Sequence, residues 1–386
     1  MTVLKYYIEE KFNPVPITFS SKKKIEAHYE KRINLVENHL KIPLTLLKGK
    51  DVLEFGCNGG ENACVLASYG ANVYLVEPNK KMHDLIKSNF KKIKKLNNLK
   101  LLSEDSLEVF KNKKKFDLVI VEGFLNTLKK RNEYFKKISN FLKPKGILII
   151  NYDDSYGVIF EFLKSIILLK ACKLNGINFR KNDSLKIAKK FFEKEFSKLN
   201  KSRNFPSWWK DQLVNPYASK TWKLKDILKL SNSSNLYMYS TSPIFDKSSH
   251  FQWYKNLTLI GKKASDKNSY ILESWKSNFL SFLFNKPLSQ KKKISNKVLI
   301  ELEVFVNKLG RNIFFANLEK KILKPKNFLS YLSANNKKKL SNEISKLINT
   351  INNCKNENEL LKYYNSTSEL KKTWGSVLHY IALIKS

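Results

Sequence analysis

Between residues 51 and 77 the chain repeats one simple pattern, and that pattern narrows the possible folds sharply. Asp51-Val-Leu-Glu-Phe55 is a short apolar run closed by Gly56-Cys-Asn-Gly-Gly60. A helix-like stretch follows from Glu61 to Tyr69 and stops at Gly70, and Asn72-Val-Tyr-Leu-Val-Glu77 forms a second run closed by Pro78. Runs that stay apolar instead of alternating suit strands buried on both faces of a sheet. The alternation continues with a helix over 80–95, a third strand at Leu99-Lys-Leu-Leu102, a fourth at Phe116–Glu122 and a fifth at Gly146–Tyr152. The fifth is entered through the turn Lys143-Pro-Lys-Gly146. Strands separated by helical segments at this spacing predict βαβ units and a parallel sheet, so the fold class is α/β.

The first turn has a chemical consequence. Glycine accepts dihedrals that other residues resist, so backbone can approach a ligand there. The helix that follows offers unpaired N–H groups and the positive end of its dipole. An acid about 20 residues on, at the end of the second strand, can accept both hydroxyls of a ribose. Glu77 lies 21 positions after Gly56. No Gly-Lys-Ser/Thr sequence follows the turn, which excludes a Walker-type phosphate cradle. A dinucleotide fingerprint would need glycine at 56, 58 and 61, where this chain has Gly56, Asn58 and Glu61.

The spacing instead resembles the class I S-adenosylmethionine-dependent methyltransferases, whose first motif runs acidic-x-Gly-x-Gly-x-Gly. Here it reads Glu54-Phe-Gly56-Cys-Asn58-Gly-Gly60. Asn58 replaces the middle glycine and is the residue that best tolerates positive φ after glycine itself. Phe116-Asp-Leu-Val-Ile resembles the family's fourth strand, and Leu142-Lys-Pro-Lys-Gly-Ile-Leu-Ile149 the entry into its fifth. The resemblance covers about residues 45–152 and resumes at 235–263, where Tyr237–Pro243 and Phe251-Gln-Trp-Tyr254 look like the closing sixth and seventh strands. It implies a Rossmann-like seven-stranded sheet and S-adenosyl-L-methionine as cofactor. The implied cofactor-binding residues are Glu54, Gly56, Asn58, Gly60, Glu77, Asp105 and Glu122. Glu77 matches the ribose acid, Asp105 the acid that contacts the adenine amino group, and Glu54 the acid near the methionine amino group. A sulfonium cofactor without phosphates tolerates acids at the strand ends.

Methyl transfer is an in-line displacement on an activated carbon, so the protein mainly aligns donor and acceptor and excludes water. A hydroxyl or carboxylic acid acceptor also calls for a base. Catalytic groups in open α/β sheets lie beyond the carboxyl ends of the strands. That rule nominates Glu122 and Asn126 after the fourth strand, Asp153, Asp154 and Tyr156 after the fifth, and His250 after the sixth. The catalytic set expected from sequence is His250, Asp153 and Glu122. Asp153 and Asp154 could instead cap the following helix, and no metal site is expected. The cluster Phe205-Pro-Ser-Trp-Trp209 could wall a flat acceptor such as a sugar or simply pack. After the fourth strand stands Glu122-Gly-Phe-Leu125, where amino-group methyltransferases of bases and glutamine carry Asn/Asp-Pro-Pro-aromatic. No Pro-Cys nucleophile is present either. The insert, with Ser242-Pro-x-Phe245 and Trp253-Tyr-Lys255, looks like bacterial methyltransferases of glycan and surface-polysaccharide type. The expected acceptor is a small molecule or sugar, methylated on oxygen.

The alternative is an RNA methyltransferase that grips RNA with its basic tail. The 386 residues carry 72 Lys+Arg against 34 Asp+Glu, a net charge of +38. Only five of the bases are arginine, and lysine and asparagine together are what an A/T-rich coding sequence favours. Residues 265–386 carry +13, close to the charge density of the rest, whereas a nucleic-acid groove concentrates charge and favours arginine. The expected organisation is an N-terminal helical arm at 1–44, with a helix from Ser20 or Ser21 to about Leu40. A methyltransferase domain at 45–264 follows, carrying a helical acceptor-binding insert at 155–230, and then a lysine-rich helical region at 265–386. No run reaches the ~20 apolar residues of a spanning helix, the start lacks a signal pattern, and four irregularly spaced cysteines suggest no disulfide framework. A cytoplasmic protein is expected.

Overall fold

The structure is a computed structural model that describes residues 6, 19, 21–102, 113–199, 203–244, 264–288, 292–319, 321–374 and 378–386. Helix α1 (Lys22–Ile33) starts where Ser21 accepts a hydrogen bond from the Lys24 N–H, and it runs on as a π-helical turn at Asn34–His39. Then come β1 (Asp51–Phe55), α2 (Glu61–Ser68), β2 (Asn72–Val76), α3 (His83–Lys92), β3 (Leu99–Leu101), β4 (Phe116–Val121), α4 (Arg131–Ser139) and β5 (Leu142–Asp153). The helical stretch α5 (Ile159–Leu174), α6 (Asp183–Phe196) and the short α7 (Phe205–Trp208) follows. The chain continues through α8 (Leu224–Asn232), β6 (Leu236–Ser242), α9 (Ala264–Leu283), α10 (Asn296–Phe315), α11 (Lys326–Ala334), α12 (Lys338–Asn353) and α13 (Glu357–Ser366), and ends in β7 (Leu378–Lys385).

The seven strands form one sheet in the order β3-β2-β1-β4-β5-β7-β6. The first five run parallel, and β6 pairs antiparallel with β7. This is the α/β sheet the sequence predicts, and its order reverses between β1 and β4, where ligands of open sheets bind. The register puts Phe55 beside both Val76 and Val121. The residues that follow them, Gly56, Glu77 and Glu122, therefore leave the sheet side by side.

One expectation needs correction. The seventh strand is β7, at the opposite end of the tail from the Phe251–Tyr254 segment expected to supply it. Residues 245–263 lie outside the described residues. The tail is thus not helical throughout: Ile381, Ala382 and Leu383 are a fully buried β run.

The chain forms two compact units. The first comprises Met1–Tyr152, Leu224–Ser274 and Leu378–Ser386, and the second Asp153–Lys223 with Trp275–Val377. In the first unit, Val52, Leu75, Leu118, Ile120 and Ile149 of the sheet pack with Ala63, Leu66, Ile86 and Phe90 of α2 and α3. In the second unit α5 is buried along most of its length, and Gly310 of α10 meets Phe162 so closely that an added Cβ would lie 3.2 Å from that ring. The Phe205–Trp209 cluster packs there: Trp208 meets Phe196 and Trp374 with ring centroids 5.3 and 5.2 Å away. Phe205, Trp208 and Trp209 are all buried, so packing prevails over an open acceptor wall.

Candidate cofactor site

The turn after β1 is built from left-handed backbone. Gly56 has φ 66°, Asn58 53° and Gly60 73°. Gly56 also lacks room for a side chain, since a Cβ would sit 3.0 Å from the Phe124 ring. Gly60 is the N-cap of α2, so the bend delivers the chain directly into the first turn of that helix. Asn58 takes the left-handed conformation expected of it in place of glycine.

Glu77 closes the bend from the neighbouring strand. Its carboxylate accepts the Asn58 N–H at 2.8 Å and the Asn79 N–H at 2.8 Å. Burial raises its pKa, and the two backbone donors pull the other way. The Glu77 carbonyl is 2.8 Å from His83 Nε2, and Asn89 Nδ2 donates to the Gly59 carbonyl at 3.0 Å, so α3 holds both edges of the bend. The glycine turn and the strand-end acid therefore meet in one place.

A second group of charges lies behind the bend. Glu54 is buried, and its Oε2 has no hydrogen-bond partner among the described residues. Burial pushes its carboxyl up to about 8; Glu122 adds to the shift and Arg32 opposes it. Arg32 comes from α1, is only 4% exposed, and donates from Nη2 to Glu122 at 2.5 Å. Its Nε–H is buried and has no partner among the described residues. Glu122 also accepts from Asn62 of α2 at 3.3 Å and from the Tyr380 hydroxyl of β7 at 3.5 Å. Asn151 of β5 bonds Tyr380 and accepts the Gly123 N–H at 2.7 Å. Glu61, the first residue of α2, folds its carboxyl against Gly59, where a Cβ would collide with it. Burial pushes Glu61 up to about 7, and its Oε1 has no partner among the described residues.

Arg32, Asn62, Glu61 and Tyr380 were not among the sequence candidates. Arg32 left one trace, as the only arginine before Arg131 in a chain whose bases are nearly all lysine. Asp105 and His250 lie outside the described residues. Asn126 is buried, and its carbonyl accepts from Arg131 at 3.4 Å. Asp153, Asp154 and Tyr156 belong to the second unit. The Asp154 carboxylate accepts the Tyr156 and Gly157 N–H groups at 3.0 and 2.8 Å, which organises the turn before α5. Burial pushes it up to about 6. The Asp153 carbonyl accepts the Trp222 N–H at 2.9 Å, and Tyr156 packs on Trp275 and Phe279. Among the described residues no group of three His, Cys, Asp or Glu side chains is placed to hold a metal.

The residues fit S-adenosylmethionine. The side-chain-free bend suits close approach of a ligand, and Glu77 has acceptor capacity left for ribose hydroxyls. Among the described residues Glu54 Oε2 is an acceptor and Arg32 Nε a donor without a partner, the pair that an ammonium and a carboxylate on one carbon require.

The sheet order and this bend define a class, and comparison with known proteins gives the same one. Residues 53–150 match the family described as a methyltransferase domain. That segment carries a methyltransferase domain, a match that implies S-adenosylmethionine as the methyl donor. The chain is 27% identical over 160 residues to malonyl-[acyl-carrier protein] O-methyltransferase 2 of Ilyobacter polytropus, covering 38% of this chain and 60% of that one. It is 31% identical over 104 residues to ubiquinone biosynthesis O-methyltransferase of Pelagibacter ubique, covering 27% and 42%. The chain thus spans less than two thirds of either relative. Among solved structures, PKMT2 of Rickettsia typhi in complex with AdoHcy superposes with TM-score 0.42 at 14% identity, covering 66% of this chain and 50% of that one.

Proposed function

We propose that this protein transfers the methyl group of S-adenosylmethionine to an oxygen of a small acceptor molecule. The observation that carries the reading is the 2.8 Å bond from the Asn58 N–H to Glu77, because it brings the bend and the ribose acid into one site. In this reading Gly56, Asn58 and Gly60 line the adenosine, and Glu77 accepts its ribose hydroxyls. Glu54 and Arg32 face the amino-acid end, and Arg32 keeps Glu122 in place as a charged neighbour of that end. Asp105 keeps the role of adenine contact that the resemblance implies, and Glu122, Asp153 and His250 remain the candidates for handling the acceptor's proton. Oxygen as the acceptor atom is supported by the two relatives, both named as O-methyltransferases. The bound cofactor supplies an activated methyl on a sulfonium; the chain's own residues orient it and keep water away.

Titration calorimetry with S-adenosylmethionine tests the reading. Saturable one-site binding to the folded protein is expected, and its absence would overturn the assignment. Acceptor screening then follows transfer of labelled methyl from S-adenosylmethionine to hydroxylated and carboxylic small molecules, sugars included.

A further inference from the structure

The bend carries more carboxylates than its ligand contacts explain. Glu54, Glu61, Glu77 and Glu122 gather around residues 56–62, and the one arginine among them, Arg32, is committed to Glu122. Glu77 already accepts two backbone donors. Glu54 and Glu61 are each at least 95% buried, with a carboxyl oxygen that has no partner among the described residues. An ionised carboxylate in such a place is costly, so the group holds a proton instead. We infer that Glu54 and Glu61 hold exchangeable protons in the ligand-free protein, and that the ammonium of the donor's amino-acid end displaces one of them. This inference rests on the proposed cofactor site and adds what that site exchanges.

The surroundings agree from every side. Glu54 faces Glu122 beyond β4, Arg32 from α1, Glu61 from α2 and Glu77 beyond β2, and Tyr380 of β7 bonds Glu122. Cys57 and Cys64 lie near it, and their thiols are raised by burial and by these same acids, so they supply no counter-charge. His28 of α1, close to Glu61, is held below its ordinary value by burial and by Arg32, so it too stays neutral. Ionising Glu54 or Glu61 would therefore add a further negative charge beside Glu77 and Glu122, with Arg32 already paired to Glu122. An arriving ammonium supplies a cation, the carboxyl beside it ionises, and the proton leaves to buffer. Charge balances, because the ammonium enters as one proton departs, while the donor's own carboxylate meets the Arg32 Nε–H.

Calorimetry with S-adenosylhomocysteine near pH 7 in two buffers of different ionisation enthalpy tests this. We expect buffer-dependent heat corresponding to release of about one proton, and affinity rising up to about tenfold per pH unit between pH 6 and 7.5. The probe 5′-methylthioadenosine, which lacks the amino-acid end, should bind without proton release. Glu54→Gln should abolish most of the release, and Glu61→Gln should reduce it while serving as a second variant if the first folds poorly. Homocysteine adduct binding with identical heats in both buffers and a flat pH profile overturns the inference and leaves the cofactor site standing. Equal proton release with 5′-methylthioadenosine also overturns it. Failure of both nucleosides to bind folded protein overturns the proposed function itself.

Discussion

Glu77 shows how one side chain can serve structure and ligand together. In the ligand-free protein its two oxygens hold the Asn58 and Asn79 N–H groups, which fixes the bend before any ligand arrives. Glu77→Ala should weaken S-adenosylmethionine binding by about 1–3 kcal/mol, the scale of a hydrogen bond to a charged group, as read by calorimetry. Glu54 acts in the opposite sense on the protein's own stability. Its folded pKa, about 8, lies above its ordinary 4.5, so the folded state binds the proton more tightly than the unfolded one. Stability from this group is complete below the ordinary value and is lost as pH rises through the window from about 4.5 to 8. Denaturation of the ligand-free protein should therefore show stability falling between pH 5.5 and 8, by at most about 1.4 kcal/mol per unit from this residue. Glu54→Gln should flatten the fall. Arg32→Ala would leave Glu122 and Glu54 without their cation and should cost about 3–5 kcal/mol, measured by urea unfolding at pH 7. Glu54 and Glu77 were legible in the sequence because they sit at fixed offsets from the bend. Arg32 was not, since its partner Glu122 lies 90 residues away and no local pattern records the pairing.

Elements matter here chiefly through where they end. β1, β2 and β4 finish level, at Phe55, Val76 and Val121, and only that register sets the bend, Glu77 and Glu122 shoulder to shoulder. Both facts that produce it were readable: uninterrupted apolar runs give buried parallel strands, and glycine or proline marks their ends. Gly56 joins the two levels, having both a left-handed backbone and Phe124 against it. Gly56→Ala should destabilise the protein by about 1–2 kcal/mol from the backbone alone and displace Phe124. The expected result is a lower melting temperature together with loss of S-adenosylhomocysteine affinity, whereas unchanged affinity would mean the bend does not touch the nucleoside. The second unit was less legible. Its helices are visible as amphipathic stretches, yet the gathering of Trp208, Phe196 and Trp374 joins positions far apart in sequence. An aromatic cluster alone does not say whether it lines a pocket or fills a core.

At the scale of the whole molecule the sheet is completed late. β7 lies between β5 and β6, and the chain reaches it only after the tail helices α10 to α13. The position was missed because its apolar core, Ile381-Ala-Leu-Ile384, is short and follows a long lysine-rich helical stretch, so the sixth strand's nearer neighbours looked like the better partner. The consequence is testable. A domain cut at residue 264 retains every motif of the cofactor site but lacks β7, which buries Ile381, Ala382 and Leu383 and brings Tyr380 to Glu122. Without it β5 and β6 have no strand between them, and their facing backbone groups lose their partners, which is costly wherever water cannot replace them. The fragment 1–264, and equally a chain stopped after residue 377, should therefore show no cooperative thermal transition and no binding of S-adenosylhomocysteine. Circular dichroism and calorimetry on the two truncations read this directly. A cooperative melt with affinity within about threefold of the full chain would show that the first six strands suffice, and that the last one only decorates the sheet.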